Sequence, residues 1–232
     1  MNTAVILAGG VGSRMRNDGF PKQYLEINGK PVLVYTLEKF QACDKVDHII
    51  VVAHSQWEDQ IRRWASLHNI TKLTAIAPQG DTRQESVLSG LEASAKLSAC
   101  ENDIVLVHDA ARPLVSVGMI EDCIDGIEGY DGCLPVIPLK DTVYHSIDGQ
   151  SITNLTDRST LFCGQSPESF RLLPYLALNK AATKQELQQI RGSSEIAFRG
   201  GFNIRMIPGE ETNFKLTTSD DLVRLRSLLN HA

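Results

Sequence analysis

Strand-like and helix-like segments alternate along most of this chain, and that order limits the folds open to it. Apolar runs of strand length lie at residues 3–8, 46–53, 73–77, 103–113 (which runs on into a loop), 132–139 and 202–208. Segments with helical spacing lie at residues 31–43, 55–69, 82–97, 119–129, 174–190 and 219–232, the last opened by Ser219 as its cap. This order predicts an α/β fold with a mostly parallel sheet and helices on both faces.

The alternation breaks after Pro138, where two short alternating runs flank the pair Asp148-Gly149. An Asp-Gly pair between such runs is typical of a β-hairpin. We therefore expect residues 141–158 to form an arm that projects from the sheet. The pattern leaves two interpretations open: a decorative insertion, or an arm that contacts a second subunit.

The composition argues against several classes of partner. The 232 residues carry a net charge of -5, so no overall basic surface attracts nucleic acid or an anionic membrane. The longest apolar runs, such as residues 49–53, are far shorter than a membrane span. The five cysteines show no C-x-x-C spacing, and the first residues show no signal-peptide pattern. We therefore expect a cytoplasmic protein with reduced thiols and without nucleic-acid or membrane partners.

The stretch ILAGGVGSRM, residues 6–15, places three glycines and an arginine directly after the first predicted strand. It does not match the dinucleotide fingerprint G-x-G-x-x-G, because Met15 stands where the third glycine belongs. It does not match the P-loop pattern either. Two interpretations remain. One is a tight turn with surface cations. The other is a loop whose backbone N–H groups bind phosphate oxygens together with Arg14 and Lys22.

Three later segments favour the anion-binding interpretation. QGDTRQESV (79–87) follows the third strand, VHDAARP (107–113) places Asp109 at the end of the fourth, and TNFKLTT (212–218) contains Lys215. Ligands of α/β sheets bind at the carboxyl ends of parallel strands. At that edge Asp109 would suit Mg²⁺ held by one carboxylate and substrate phosphates, although it would also serve as a loop cap.

Two further residues of VHDAARP have structural interpretations. Arg112, which precedes Pro113, is expected to pair with a carboxylate. His108 is expected to pack within the strand rather than to act as a base. None of the cysteines lies in a recognisable catalytic motif.

The motifs L-A-G-G-x-G-x-R-M, P-K-Q, H-D-A-A-R-P and N-x-K-x-T-T, in this order, resemble those of the cytidylyltransferases that couple CTP to an alditol phosphate. The resemblance runs from residue 4 to about residue 225. It implies a single Rossmann-like nucleotidyltransferase domain over residues 1–232, with the arm at 141–158 used for dimerisation. A homodimer, CTP as substrate and Mg²⁺ or another divalent cation are implied as well.

The resemblance also implies roles for individual residues. Arg14, Lys22 and Lys215 would surround the α-phosphate as catalytic groups, and Asp109 would ligate the metal. CTP would be bound by Leu7, Ala8, Gly9, Gly10, Gly12, Gly80, Asp81, Ser86 and Ala110. The acceptor would be bound by Ser166, and by Thr142 and Arg158 acting in the site of the partner subunit. The acceptor phosphate would attack the α-phosphorus of CTP, and pyrophosphate would leave.

The motifs leave the acceptor open between two known branches of the family. VVAHSQW (51–57) and GQSPESFR (164–171) resemble the ribitol 5-phosphate enzymes, whereas HDAARP is typical of the 2-C-methyl-D-erythritol 4-phosphate enzymes. Near residues 191–197, many members of the family carry a Thr-Asp pair, whereas this chain has Ser194-Glu195. The ligand contacts of this segment are therefore left undetermined. We favour a pentitol phosphate. Two alternatives stay open: a sugar-1-phosphate nucleotidyltransferase using UTP or another nucleotide, and a non-catalytic nucleotide-binding subunit.

Overall fold

The computed structural model describes residues 1–10 and 20–230, so the predicted site residues Gly12 and Arg14 lie outside the described residues. The strands are β1 (Asn2–Leu7), β2 (Glu26–Ile27), β3 (Lys30–Pro31), β4 (His48–Ala53), β5 (Leu73–Pro78), β6 (Ile104–Asp109), β7 (Gly132–Pro138), β8 (Val143–His145), β9 (Asn154–Thr156), β10 (Phe162–Gly164), β11 (Glu168–Arg171) and β12 (Ile204–Pro208). The helices are α1 (Val32–Ala42), α2 (Glu58–Leu67), α3 (Arg83–Leu97), α4 (Val117–Asp125), α5 (Leu172–Ala181), α6 (Lys184–Gln189), α7 (Ser193–Arg199) and α8 (Ser219–Asn230).

Among the described residues, eight strands form one mixed sheet whose central part is parallel. The strands β5, β4, β1 and β6 lie side by side in that order and all run parallel. Beyond β6, the strand β11 pairs antiparallel with both β6 and β7. The strand β7 also pairs antiparallel with β10 and parallel with β12. The predicted α/β class, a mostly parallel sheet flanked by helices, is confirmed.

Alternate residues of the central strands pack into two core clusters, because successive side chains of a strand point to opposite faces. In β1, Ala4 and Ile6 join a cluster that includes Phe40 of α1. Val5 joins a second cluster that includes Leu91 of α3. Helices cover both faces, which explains why these strands are apolar throughout rather than alternating. None of the helices that the structure describes is long and apolar enough to cross a membrane.

The second half of the chain departs most from the sequence prediction. Residues 174–190 form parts of two helices rather than one, because Thr183 opens a new capping box at the start of α6. The elements β10, β11 and α7 have no counterpart among the predicted segments. The cap of α8 is Thr218 rather than the predicted Ser219, since the N–H of Asp221 donates to Thr218 Oγ1 at 3.2 Å.

The predicted hairpin is present as an arm. Its strands β8 and β9 pair antiparallel, apart from the main sheet, with Tyr144 opposite Leu155. At the turn, Oδ1 of Asp148 accepts hydrogen bonds from two backbone N–H groups that follow it, each at 2.9 Å. Gly149 adopts a φ of 72°, which glycine reaches without strain because it has no Cβ. The arm is exposed along almost its whole length.

Candidate active site

The strands β1 and β6 end side by side at the carboxyl edge of the sheet, with Leu7 opposite Asp109. A cavity of about 380 Å³, here called the first cavity, opens between these strand ends and the start of α3. The predicted site residues that line it are Leu7, Gly9, Gly10, Lys22, Gly80, Asp81, Ser86, Asp109 and Lys215. The fold therefore brings four distant segments of the sequence to one cavity.

One wall of the first cavity is held by the short turn Lys22–Tyr24. The buried Nε2 of Gln23 donates to the carbonyl of Ala8 at 2.5 Å and to that of Gly10 at 2.9 Å. The hydroxyl of Tyr24 also donates to the Ala8 carbonyl, at 3.0 Å. These bonds fix the chain after β1 beside Lys22, so the glycines and the lysine keep one relative position.

The opposite wall is the turn between β5 and α3. The backbone N–H of Gly80 donates to Ser86 Oγ at 3.0 Å, and that hydroxyl donates to the carbonyl of Thr82 at 3.0 Å. A Cβ on Gly80 would lie 2.3 Å from Cβ of Glu85, so only glycine fits at this close approach. Ser86 therefore orders the turn as well as lining the cavity, and Thr82 caps α3.

Asp109 lines the first cavity and is surrounded by three cations. Its Oδ2 is 2.8 Å from Lys215 Nζ and 3.7 Å from Arg112 Nε, and its Oδ1 is 3.6 Å from Arg83 Nε. Burial alone would raise the pKa of Asp109, but the charges of Arg83, Lys215 and Arg112 outweigh it and hold that pKa well below its usual range. The pairing predicted for Arg112 is confirmed, and the site carries more positive than negative charge.

A second cavity, of about 260 Å³, adjoins the first on the side of β11 and α7. It shares three lining residues with the first cavity: Arg83, Asp109 and Lys215. Arg83 spans the boundary, because its Nη1 donates to Ser193 Oγ at 2.7 Å and its Nη2 lies 3.5 Å from Oε1 of the buried Glu168. The two cavities therefore meet at one group of charged side chains.

His108 packs behind this junction, as the sequence predicts. Its ring lies 5.0 Å from that of Phe40, and it is fully buried. Burial lowers the pKa of His108 to about 3, so the imidazole is neutral near pH 7. Its Nε2 lies 3.2 Å from the Arg112 carbonyl, which can only accept, so Nε2 carries the proton. Its Nδ1 then accepts from the hydroxyl of Ser166 at 3.1 Å.

The donor set at Asp109 fits one mode of Mg²⁺ binding. Among the described residues, no group of three or more histidine, cysteine, aspartate or glutamate side chains is placed to hold a metal ion. Mg²⁺ often takes one or two carboxylates and completes its shell with water and substrate phosphates. Asp109 can supply one such carboxylate at the edge of the first cavity.

Some predicted contacts lie outside both cavities. Ala8 and Ala110 are buried behind the wall of the first cavity, which is lined by Ala111 instead. Thr142 and Arg158 are exposed on the arm and line neither cavity of this chain.

Ser166 lines the second cavity, and its Oγ also accepts from the Asp109 N–H at 3.2 Å. Its contact with an acceptor remains a prediction, as do the ligand contacts assigned to the other site residues.

Sequence reasoning did not assign Arg83, Glu168 or Gln79 to the site. The position of Arg83, directly after a helix cap at the carboxyl edge of the sheet, was a usable signal. Glu168 gave none, because it reaches the site through the unpredicted strand β11. Gln79 follows β5 directly and lines the first cavity beside Gly80.

Comparison with known proteins agrees with this geometry. The family model described as 2-C-methyl-D-erythritol 4-phosphate cytidylyltransferase matches residues 2–231. The ribitol-5-phosphate cytidylyltransferase of Streptococcus agalactiae serotype Ia is 34% identical over 228 residues, which cover 98% of this chain and 95% of that protein. The 2-C-methyl-D-erythritol 4-phosphate cytidylyltransferase of Rubrobacter xylanophilus is 37% identical over 229 residues, covering 97% and 94%.

Among solved structures, the crystal structure of a 4-diphosphocytidyl-2C-methyl-D-erythritol synthase matches with a TM-score of 0.81 at 28% identity. The match covers 98% of this chain and 97% of that one. The agreement extends over nearly the full length of both molecules, so it is not limited to the glycine-rich turn or to the parallel part of the sheet. The chain therefore belongs to the 2-C-methyl-D-erythritol 4-phosphate cytidylyltransferase family and is a nucleotidyltransferase.

Proposed function

We propose that this protein transfers the cytidylyl group of CTP to the phosphate of a pentitol phosphate, such as ribitol 5-phosphate, and releases pyrophosphate. The proposal rests chiefly on the junction of the two cavities. Both are lined by Arg83, Asp109 and Lys215, so a nucleotide in the first cavity and an acceptor in the second would meet at these charges. Joining two phosphate esters requires such a meeting point.

The proposed chemistry needs charge stabilisation more than proton transfer. A phosphate oxygen of the acceptor forms a bond to the α-phosphorus of CTP, and the bond from that phosphorus to the β-phosphate oxygen breaks. The attacking group is already an anion, so no general base is required. The barrier comes from repulsion between two anions, which Lys22, Lys215 and Arg83 would reduce. One preorganised contact of this kind typically contributes roughly 3–4 kcal/mol.

A divalent cation is part of the proposal. Asp109 would hold it together with phosphate oxygens of CTP, and when bound it would neutralise charge on the triphosphate. Lys215 Nζ lies 2.8 Å from Asp109 Oδ2, so the lysine would exchange that carboxylate for a phosphate oxygen when the substrates bind. Activity should therefore be lost in excess chelator, and Asp109→Asn should be inactive. Full activity in either case would contradict a metal at Asp109.

The acceptor proposed is a pentitol phosphate rather than 2-C-methyl-D-erythritol 4-phosphate. Support comes from the segments HSQW (54–57) and GQSPESFR (164–171) and from the ribitol-5-phosphate relatives. The branched acceptor is the second candidate, because the family model and the Rubrobacter xylanophilus relative carry its name.

A panel experiment tests the reaction and the acceptor together. The purified protein is incubated with Mg²⁺, one of the four ribonucleoside triphosphates, and one of three acceptors: ribitol 5-phosphate, 2-C-methyl-D-erythritol 4-phosphate or a sugar 1-phosphate. Pyrophosphate is measured in each case. We expect release only with CTP, and a higher kcat/KM for ribitol 5-phosphate. A higher kcat/KM for the branched acceptor would overturn the proposed acceptor. Pyrophosphate with UTP and a sugar 1-phosphate, or with no combination, would overturn the proposed reaction.

A homodimer with shared sites is also proposed. The arm exposes Tyr144, Ile147, Ile152 and Leu155, of which Ile147 is 84% exposed. A two-stranded hairpin is marginally stable by itself in water and its open edges favour pairing, so contact with another chain would stabilise it. Arg158 on this arm would then bind the acceptor phosphate in the second cavity of the partner.

Complementation between two inactive variants tests this arrangement. Lys215→Met and Arg158→Ala proteins are unfolded together, refolded together and assayed. If the arm acts in the partner, one site of every mixed dimer is intact, and random pairing restores about a quarter of all sites. If Arg158 serves its own chain, every site carries one lesion. No recovery, with subunit exchange shown by differently tagged chains, would contradict the shared site.

A further inference from the structure

The turn before α7 contains the segment in which this chain differs from the Thr-Asp pattern described above. The N–H of Ser194 donates to Oε2 of Glu168 at 2.8 Å. The hydroxyl of the buried Tyr175 donates to the carbonyl of Ser193 at 3.0 Å. The backbone of this turn is therefore fixed to β11 on one side and to α5 on the other.

The side chain of Ser193 does not cap the helix that it begins. The cap of α7 is Gly192, and no side-chain hydrogen bond is made there. Instead, Oγ of the fully buried Ser193 accepts from Nη1 of Arg83 at 2.7 Å. Ser193 lines neither cavity, whereas Arg83 lines both. The hydroxyl of Ser193 is therefore placed to contact the guanidinium and not a ligand.

This hydrogen bond fixes the direction of the Arg83 guanidinium more strictly than its ion pairs do. Nε lies 3.6 Å from Asp109 Oδ1 and Nη2 lies 3.5 Å from Glu168 Oε1, both longer than a normal hydrogen bond. Attraction between charges at such distances keeps the guanidinium nearby but has little preference for direction. Because the guanidinium is planar, a short bond at Nη1 also orients its other N–H groups.

Ser193 also differs from the two carboxylates in charge. Its hydroxyl is neutral, so it orients Arg83 without cancelling the positive charge. A guanidinium has five N–H groups, so the bond to Ser193 leaves others for the carboxylates and for a ligand. The side chain of Arg83 is 29% exposed, so part of it stays accessible where the two cavities meet.

We infer that Ser193 is a positioning residue of the proposed reaction. It holds the guanidinium of Arg83 in the orientation that stabilises charge where the acceptor phosphate meets CTP. The inference deepens the proposed function and rests on it, because Arg83 would act on the substrates and Ser193 only on Arg83. Removal of the hydroxyl should therefore lower kcat, and only while the guanidinium is present.

Steady-state kinetics of pyrophosphate release test this coupling on the full-length chain, with CTP and ribitol 5-phosphate at saturation. Ser193→Ala removes the acceptor and should lower kcat by about tenfold. Ser193→Cys fills the space with a weak acceptor and should lower kcat by at least about threefold. Arg83→Lys keeps a positive charge without the planar fork, so adding Ser193→Ala to it should change kcat by less than about twofold.

Two kinetic results would overturn the inference. One is a kcat within about twofold of wild type in Ser193→Ala, or in Ser193→Cys if the alanine variant does not fold. The other is an undiminished fall of about tenfold when Ser193→Ala is added to Arg83→Lys.

Ser169→Ala is the matched control for loss of a buried hydroxyl. Ser169 is fully buried on β11, its Oγ donates to the carbonyl of Cys123 at 2.6 Å, and it lines neither cavity. Both alanine variants should lower the urea midpoint, because each loses a buried hydrogen bond. Only Ser193→Ala should lower kcat. An equal fall of kcat in Ser169→Ala would attribute the effect to lost stability and overturn the inference.

NMR of the free protein measures the orientation of Arg83 without the reaction. The side-chain ¹⁵N–¹H signals of Arg83 are assigned from their loss in Arg83→Lys. A guanidinium held by a hydrogen bond rotates slowly, so wild type and Ser169→Ala should show separate Nη signals, which should average in Ser193→Ala. Averaged signals in wild type, or separate signals in Ser193→Ala, would overturn the inference. Wild type that shows this NMR difference but no pyrophosphate release would contradict the proposed reaction and leave the orienting role of Ser193 supported.

Discussion

Lys215→Met should separate catalysis from stability. Methionine keeps the length of the side chain and removes the ammonium group that lies 2.8 Å from Asp109 Oδ2. Asp109 would keep Arg83 at 3.6 Å and Arg112 at 3.7 Å, so its carboxylate would not become an unpaired buried charge. The lysine side chain is 35% exposed, so solvent screens the pair, and we expect the free energy of unfolding to fall by only about 1 kcal/mol.

The effect of the same variant on turnover should be much larger. If Lys215 stabilises charge on the transferred phosphoryl group, kcat falls by about 10²–10³-fold at saturating substrates. Pyrophosphate release measures kcat, and urea unfolding measures stability. Lys180→Met is the control. Lys180 on α5 pairs with Glu92 on α3 at 3.5 Å, and both residues lie outside the two cavities. Both kcat and stability of this variant should stay near wild type. A kcat for Lys215→Met within about threefold of wild type would refute the catalytic role.

Three further predictions concern the groups around the junction. His108 stays neutral in the folded protein because its pKa is lowered to about 3, so its contribution to stability is present above about pH 6.5 and is lost as pH falls. Between about pH 6.5 and pH 3, the unfolding free energy of wild type should therefore drop more steeply than that of His108→Asn, by about 1.4 kcal/mol per pH unit at most. Parallel curves in urea titrations over this range would contradict this. Glu168→Gln keeps a hydrogen-bond acceptor but removes the negative charge that lies 3.5 Å from Arg83 Nη2. This variant should destabilise the fold by roughly 1–3 kcal/mol, and an unchanged urea midpoint would contradict the ion pair between Glu168 and Arg83. Gln23→Met removes the donor to the carbonyl of Gly10 and should raise the KM for CTP more than it lowers kcat, so an unchanged KM would contradict its positioning role.

The first cavity was predictable because its residues carry local signals. Asp109 and the glycines after β1 both end buried parallel strands, and parallel strands bring their carboxyl ends to one edge. Lys215 lies in a polar loop that periodicity alone does not place. Its position follows from a hydrogen bond of the next residue, because the Leu216 N–H donates to the Ala111 carbonyl at 2.8 Å.

The second cavity was less predictable, for physical reasons. Its walls come from residues 164–168 and from the turn before α7, segments whose apolar residues follow neither strand nor helix periodicity over a useful length. Glu168 reaches Arg83 through an antiparallel strand inserted between β6 and β7, and that pairing joins residues far apart in sequence. Sequence also could not decide which of two neighbouring alanines faces the first cavity. Ala110 was predicted to do so, but Ala111 lines the cavity, because the turn after β6 sets which side chain faces it.

The central claim is that the phosphate of the acceptor attacks the α-phosphorus of CTP, and oxygen-18 tests it most directly. Ribitol 5-phosphate labelled in its non-bridging phosphate oxygens is incubated with CTP, Mg²⁺ and the protein. Both products are analysed by mass spectrometry, and the nucleotide product also by ³¹P NMR. The account predicts that the CDP-pentitol retains all of the label, with one labelled oxygen bridging its two phosphorus atoms so that both resonances are shifted, and that the pyrophosphate carries none. Label in the pyrophosphate, or a nucleotide product that lacks the acceptor phosphate, would contradict it.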